Sequence, residues 1–159
     1  MIDNIKNKQP EKIHPETGPH RVHMDGWIDL SPFERLLNIQ IVESDSGKSV
    51  LKMPFLFDFA QANGFVHGGA MVSLADTAIV MAIKSLLPPS TLLLTISLEA
   101  EFIHAVKNGI ITAKAAVLKQ EGSKLFCHAT LYNNAMKPVM EVSSVFKIGT
   151  AARVLKNPK

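Results

Sequence analysis

Residues 68–87 read GGAMVSLADTAIVMAIKSLL, a largely apolar stretch that begins with two glycines and stops at Pro88. Apolar side chains recur at helical spacing, as at Met71, Leu74 and Ala78, and further ones extend the apolar surface almost around the helix. A helix of this kind must be covered on most sides by other parts of the chain. The stretch therefore predicts a long central helix buried within one domain.

The segments that flank this helix carry strand patterns. In Leu94–Phe102 the even-numbered residues are apolar and alternate with polar ones, which predicts a strand with one apolar face. Turn signals such as Asn108-Gly109 then separate three more strands, giving a predicted four-strand meander. Residues 39–43 and 49–54 form a predicted hairpin before the helix. This order predicts an α+β fold, a curved antiparallel sheet of about six strands wrapped around one long central helix.

A short amphipathic helix of about two turns is predicted just before the hairpin. Ser31 occupies the N-cap position, Pro32 the first helical position, and Glu34 follows three residues after the serine. This spacing predicts a capping box, in which the Ser31 side chain accepts a hydrogen bond from a backbone N–H of the first turn.

Length and composition favour a single domain with two polar ends. The 159 residues are 47% hydrophobic and 19% charged, which is sufficient for one globular core. We predict a flexible N-terminal arm at residues 1–25, a folded domain at residues 26–149 and a basic C-terminal tail at residues 150–159.

Composition also argues against several classes of protein. The single cysteine, Cys127, cannot form an internal disulfide, and no secretory pattern opens the sequence, so a cytoplasmic location is expected. Polar residues interrupt the apolar stretch 70–87, which argues against a membrane span. The net charge of +3 comes from scattered Lys and Arg residues, which gives no support to nucleic-acid binding.

The central helix carries one acidic residue, Asp76, with Val72 and Val80 one turn to either side. Burial of a carboxylate among aliphatic groups raises its pKa, and a base tuned in this way is useful at neutral pH. The alternative is that Asp76 faces a subunit interface or caps a neighbouring backbone amide. Helix position alone leaves these two interpretations at about even odds.

The start of the helix offers candidate donors. Gly68 and Gly69 leave backbone N–H groups unshielded at the positive end of the helix dipole, as in an oxyanion hole, although two glycines can equally form a tight turn. His67 can act as a base, as a ligand of the substrate carbonyl or as a capping group, and we assign it mainly a positioning role. The histidines lack a metal-binding spacing, so neither a metal nor a cofactor is predicted.

Taken together, Asn63-Gly64-x-x-His67-Gly68-Gly69-x-x-x-x-Leu74-Ala75-Asp76 resembles the signature of the hotdog thioesterases of the PaaI-like and 4-hydroxybenzoyl-CoA group. The similarity extends over about Leu36 to Ile148 and includes the order of the elements. In that family six strands wrap a central helix, two protomers pair edge to edge, and the active sites lie at their interface. The resemblance therefore implies a homodimer, and a homotetramer where two dimers pair again.

The resemblance also implies roles for individual residues. Asp76 corresponds to the catalytic carboxylate, as general base or nucleophile, and the Gly68 amide to the donor that polarises the carbonyl, with the two coming from different protomers. Gln61 falls where members hold the thioester or the attacking water. The remaining implied substrate-binding positions are Asn63, Gly64, Gly69 and Thr95, the last as a hydroxyl that steadies the water.

The chain departs from the family pattern at two places. Many relatives have Arg-Pro or Ser-Pro after the aromatic residue of the long strand, whereas here Phe102 is followed by Ile103-His104-Ala105, which alters the expected coenzyme A contact. Val80 stands one turn after the carboxylate, where some members carry a hydroxyl.

The leading hypothesis is hydrolysis of an acyl-CoA or aroyl-CoA thioester, because only this reaction gives Asp76, the glycine amides and Gln61 a joint role. A second hypothesis keeps the fold without the chemistry, as a non-catalytic acyl-CoA-binding or sensing protein. A hotdog dehydratase or hydratase is disfavoured because the sequence shows no paired His and Asp/Glu set. The motifs of serine hydrolases, P-loop enzymes and dinucleotide binders do not occur.

Overall fold

The computed structural model describes residue 20 and residues 22–149. In chain order the elements are α1 (Pro32–Leu36), β1 (Gln40–Asp45), β2 (Lys48–Pro54), a short 3-10 helix (Phe57–Phe59), α2 (Gly68–Lys84), β3 (Leu92–Phe102), β4 (Ile110–Glu121), β5 (Lys124–Tyr132) and β6 (Pro138–Gly149). The predicted tail and most of the predicted arm lie outside the described residues, so those boundaries remain predictions.

The six strands form one antiparallel sheet in the order β1-β2-β4-β5-β6-β3, and α2 packs against it. This architecture confirms the predicted α+β class and the hotdog arrangement of a sheet around one long helix. The predicted four-strand meander is wrong in one respect, because β3 pairs with β6 and not with β4. The β3–β4 connection crosses instead of turning back, and the carbonyl of Val106 within it accepts a hydrogen bond from the N–H of Val66.

The inner face of the sheet and α2 form the core. Ala75, Ala78 and Ala82 are fully buried, which lets the helix approach the strands closely. The hydroxyls of Ser49 and Ser44 donate to helix carbonyls, those of Ala78 and Met81, at 2.6 and 2.8 Å respectively. Sheet and helix are therefore held together by polar contacts as well as by apolar packing.

The opposite side of α2 is covered less completely. Its half-buried residues recur at helical spacing and are Val72, Ser73, Asp76, Val80 and Lys84. The segment before α1 packs at the C-terminal end of the helix, where the indole N–H of Trp27 donates to the carbonyls of Lys84 and Leu87 at 2.9 and 3.0 Å. The indole thereby ties this segment to the last carbonyl of α2 and to the turn that follows it. The helix ends at Lys84, three residues before the predicted boundary.

The capping-box prediction at α1 is wrong in its bonding. Ser31 is the N-cap residue, but its side chain makes no hydrogen bond to the backbone of the helix. The hydroxyl donates instead to the carboxylate of Glu34. The predicted helix start at Ser31 is confirmed. The Ser31 and Glu34 side chains bond to each other instead of to the helix backbone.

The alternation in β3 is interrupted by a bulge. Thr95 lies opposite Phe146 and Ser97 lies opposite Val145, so Ile96 is an extra residue in the strand. Directly paired residues share a face of the sheet, which places Thr95 on the inner face with the buried Phe146. Leu94 therefore lies on the outer face, so the prediction that it continues the apolar face of the later residues is wrong, and Ile96 lies at the bulge.

Among the described residues, no helix is both long enough and apolar enough to cross a lipid bilayer.

Candidate active site

The chain reaches α2 through a tight loop that positions Gln61. The N–H of Gln61 donates to the carbonyl of Phe65, and the N–H of Gly64 donates to the carbonyl of Gln61, both at 2.8 Å. Gly64 has φ of +79°, a left-handed conformation that glycine adopts without strain. The side-chain oxygen of Gln61 accepts from the N–H of Asn63 at 2.6 Å. Asn63 and Gly64 thus shape the loop, and Gln61 is held beside the start of the helix.

Gln61 and Gly68 line a cavity of about 280 Å³ at the start of α2, together with Phe65 and Phe102. A Cβ on Gly68 would lie 3.2 Å from the Phe102 ring, so the absence of a side chain permits this close approach. Within the described part of the chain, the Gly68 N–H donates to no acceptor. It is therefore a free donor at the positive end of the α2 dipole.

His67 and Gly69 turn to the other side of the helix start. The Nδ1 atom of His67 accepts from the N–H of Gly69 at 2.9 Å, which makes His67 the N-cap of α2 and leaves its proton on Nε2. Both residues line a second cavity of about 370 Å³, whose walls include Phe33 and Leu37. Of the two glycine amides considered as donors, only that of Gly68 is free, and His67 has a capping role.

Asp76 lies in the middle of α2 on its half-buried side. Its Oδ1 atom is inaccessible to solvent and has no hydrogen-bond partner among the described residues. The neighbouring hydroxyls are used within the helix, since Ser73 donates to the Gly69 carbonyl and Thr77 to the Ser73 carbonyl. Burial raises the pKa of Asp76, and the nearby charge of Glu34 raises it further. The predicted direction of this pKa shift is confirmed.

Gly68 and Asp76 do not come together within one protomer. Asp76 follows Gly68 by eight residues, which corresponds to about 12 Å along a helix axis. Asp76 lines neither of the two cavities at the helix start. One chain therefore holds a free donor and an unsatisfied carboxylate that are too far apart to act on one carbonyl group.

Thr95 is exposed on the inner face of β3, and it lines neither cavity at the helix start. Its strand is an edge of the sheet, and no residue of β3 is buried. Whether Thr95 joins the other residues therefore depends on what lies along this edge.

The sequence does not indicate two contributions to the site. The spacing of Glu34 predicts only a capping residue, yet its charge acts on Asp76 because α1 packs beside α2. The pattern of β3 predicts only a strand residue at Phe102, yet its ring forms the wall over Gly68. No local pattern signals either contact, since each joins elements distant in the chain. Among the described residues there is no group of three or more His, Cys, Asp or Glu side chains arranged to hold a metal ion.

Comparisons with known proteins identify the family and the fold. Residues 63–139 match the family described as the thioesterase superfamily. The chain is 30% identical over 98 residues to ComA2 of Bacillus subtilis, provisionally named an esterase, covering 61% of this chain and 78% of that protein. It is 25% identical over 85 residues to the 1,4-dihydroxy-2-naphthoyl-CoA hydrolase of Listeria monocytogenes, covering 54% of this chain and 69% of that protein. The fold matches PaaI from the phenylacetic acid degradation operon of E. coli with a TM-score of 0.68 and 22% identity. This match covers 74% of this chain and 84% of the PaaI chain.

Proposed function

The chain belongs to the thioesterase superfamily and is a thioesterase of the hotdog fold, and on that premise we propose that it hydrolyses an acyl-CoA or aroyl-CoA thioester at a site shared by two protomers. In this site Asp76 of one protomer and the Gly68 N–H of the other act on the same carbonyl group. The observation that carries the proposal is the separation, along one helix, of a donor and a carboxylate oxygen that both lack hydrogen-bond partners among the described residues.

The free edge of β3 supports a dimer. This strand is eleven residues long, and its outer edge pairs with no strand among the described residues. Leu94 and Ile96 are 46% and 53% exposed there. A long apolar edge strand is a template for pairing with another chain. Pairing of β3 with the same strand of a partner would bring the two α2 helices side by side and place Thr95 at the junction. Pairing of two such dimers remains a prediction.

The chemistry follows from the two half-sites. The Gly68 N–H polarises the thioester carbonyl and stabilises the negative charge that develops on its oxygen. Gln61 holds the thioester or the water. Asp76 either removes a proton from the attacking water or attacks the carbonyl carbon itself. In the first route water attacks the carbonyl carbon, and the carbon–sulfur bond breaks as the thiolate leaves. In the second route that bond breaks as Asp76 forms a mixed anhydride, which water then hydrolyses to regenerate the carboxylate. In both routes the thiolate takes up a proton, and water supplies the added oxygen of the free acid. A carboxylate with a raised pKa is suited to the first route.

The second cavity is suited to the acyl group. Gly69 and Ser73 line it, and they lie on the same side of α2 as Asp76. Its apolar walls come mainly from Phe33, Leu37 and Phe59. A largely apolar space of about 370 Å³ on this side of α2 has room for an aromatic or medium-length aliphatic acyl group. The Listeria monocytogenes relative, named for an aroyl-CoA, is consistent with an aromatic substrate.

Mixed dimers test the shared site. Asp76→Asn removes the carboxylate, and Gly68→Pro removes the N–H while keeping a residue that is favourable at the first helical position. His67 has ψ of 130°, which is compatible with a following proline. Each variant alone should lose most release of free thiol from benzoyl-CoA. Co-refolded together, they should regain about a quarter of wild-type activity, since half of randomly formed dimers are mixed and each has one intact site of two.

Gly68→Ala is the matched control, because it adds the same Cβ beside Phe102 but keeps the N–H. It should retain far more activity than Gly68→Pro. Absence of complementation between two folded variants would place the site within one protomer and reject the shared-site mechanism. Binding of benzoyl-CoA by the wild type without release of coenzyme A would support the non-catalytic binding protein instead.

A further inference from the structure

A third cavity, of about 520 Å³, lies between the β3–β4 connection and the β5–β6 turn. Its polar lining consists of Lys107, Asn108, Asn133 and Asn134. The β5–β6 turn is braced by the side-chain oxygen of Asn133, which accepts from the N–H groups of Ala135 and Lys137 at 3.0 Å each. The walls of this cavity are therefore held in place by the fold itself.

The third cavity adjoins the one that contains Gly68 and Gln61. Ala105 and Val106 line both of them. Lys107 marks the boundary, because its Nζ lies 5.7 Å from the centre of the Phe65 ring, and that ring lines the Gly68 cavity. The Lys107 side chain therefore lies beside both cavities.

A fourth cavity lies next to the third one, on the outer face of the sheet. Asn133 and Asn134 also line this cavity of about 350 Å³, which contains Lys52 and Lys114. Among the described residues, no Asp or Glu lines any of these three neighbouring cavities. The acyl-side cavity, in contrast, includes Asp58. A row of cavities that carries lysines and no carboxylates favours an elongated anionic ligand.

We propose that the phosphate-bearing part of the thioester's coenzyme A binds in the third cavity, with the Lys107 ammonium as its cationic contact and Lys52 and Lys114 beyond it. This inference rests on the proposed hydrolysis.

The test compares two thioesters in the full-length protein, benzoyl-CoA and S-benzoyl pantetheine, which lacks the phosphates. Lys107→Gln removes the charge and nearly preserves length. It should raise KM for benzoyl-CoA about fivefold, equivalent to roughly 1 kcal/mol, with kcat unchanged and the pantetheine ester unaffected. Lys124→Gln, at the exposed start of β5, is the matched control and should change neither substrate. The difference for benzoyl-CoA should shrink in high salt.

A Lys107→Gln variant with unchanged KM for both esters, or with equal changes for both, overturns the proposed contact. If the wild type hydrolyses neither ester, the reaction proposed above fails, and calorimetry with adenosine 3′,5′-bisphosphate still tests the cavity. Binding of this nucleotide that weakens in Lys107→Gln but not in Lys124→Gln supports the site. Equal binding by all three proteins rejects it.

Discussion

The start of α2 and its middle differ in which half of a hydrogen bond they lack. At the start, the Gly68 N–H has no acceptor among the described residues, and a cavity beside it leaves room for a carbonyl oxygen. In the middle, the Asp76 carboxylate has a buried oxygen to which no group in the described part of the chain donates. Buried polar groups without partners are costly and rare in native proteins. The difference is the reason for the proposal that substrate and a second copy complete these two halves.

The largest expected effect comes from the middle of the helix. Asp76→Asn should lower kcat by about 10³-fold, because it removes the base or nucleophile. It should also raise Tm at pH 7, because a neutral amide avoids the desolvation that raises the pKa of the buried carboxylate. Progress curves and thermal unfolding at the same pH measure both effects.

The sign of the stability effect follows from the pKa. The folded pKa of Asp76 lies above its ordinary value of 3.8, so ionisation opposes folding. This penalty is complete above the raised folded pKa and disappears as pH falls toward 3.8. The advantage of Asp76→Asn should therefore shrink across that window. An active Asp76→Asn protein, or one with lower Tm at pH 7, would contradict the role given to this carboxylate.

At the start of the helix, His67→Ala should act mainly on stability. Loss of the bond from the Gly69 N–H to Nδ1 should cost about 1 kcal/mol in the free energy of unfolding, and kcat should change only a few-fold. His67→Asn, which can still cap the helix, is the control and should recover the stability. Denaturant unfolding and initial rates separate the two roles. A fall in kcat as large as that of Asp76→Asn, with stability intact, would make His67 a catalytic residue.

The smallest expected effect sharpens the description of Asp76. Glu34→Gln removes a nearby negative charge and should lower the pKa of Asp76, which moves the acidic limb of the kcat/KM profile to lower pH. The movement should be modest, because burial is the larger cause and remains. Glu121→Gln, at the exposed end of β4, is the control and should leave the profile in place. A shift to higher pH would show that Glu34 does not act on Asp76 through its charge.

Much of the site was visible in the sequence because its parts are local. Asp76 among aliphatic neighbours and Gly68 at a helix start both follow from residues within one or two turns, and the structure gives them the burial and the free donor expected. Gln61 could be placed near Gly68 because a short loop joins them. The sequence does not decide between the possible roles of His67 as base, ligand or cap, because the capping bond depends on how its ring is oriented.

The long apolar helix, the strands around it and a carboxylate in apolar surroundings can all be predicted from the sequence, because each depends on neighbours within about four residues or on a period of two. The pairing of β3 with β6, the bulge at Ile96 and the effect of Glu34 on Asp76 become visible only in the folded chain. The cavities, too, become visible only in the tertiary structure. These features arise where segments distant in the chain pack together, and their geometry depends on long-range contacts that no local periodicity encodes.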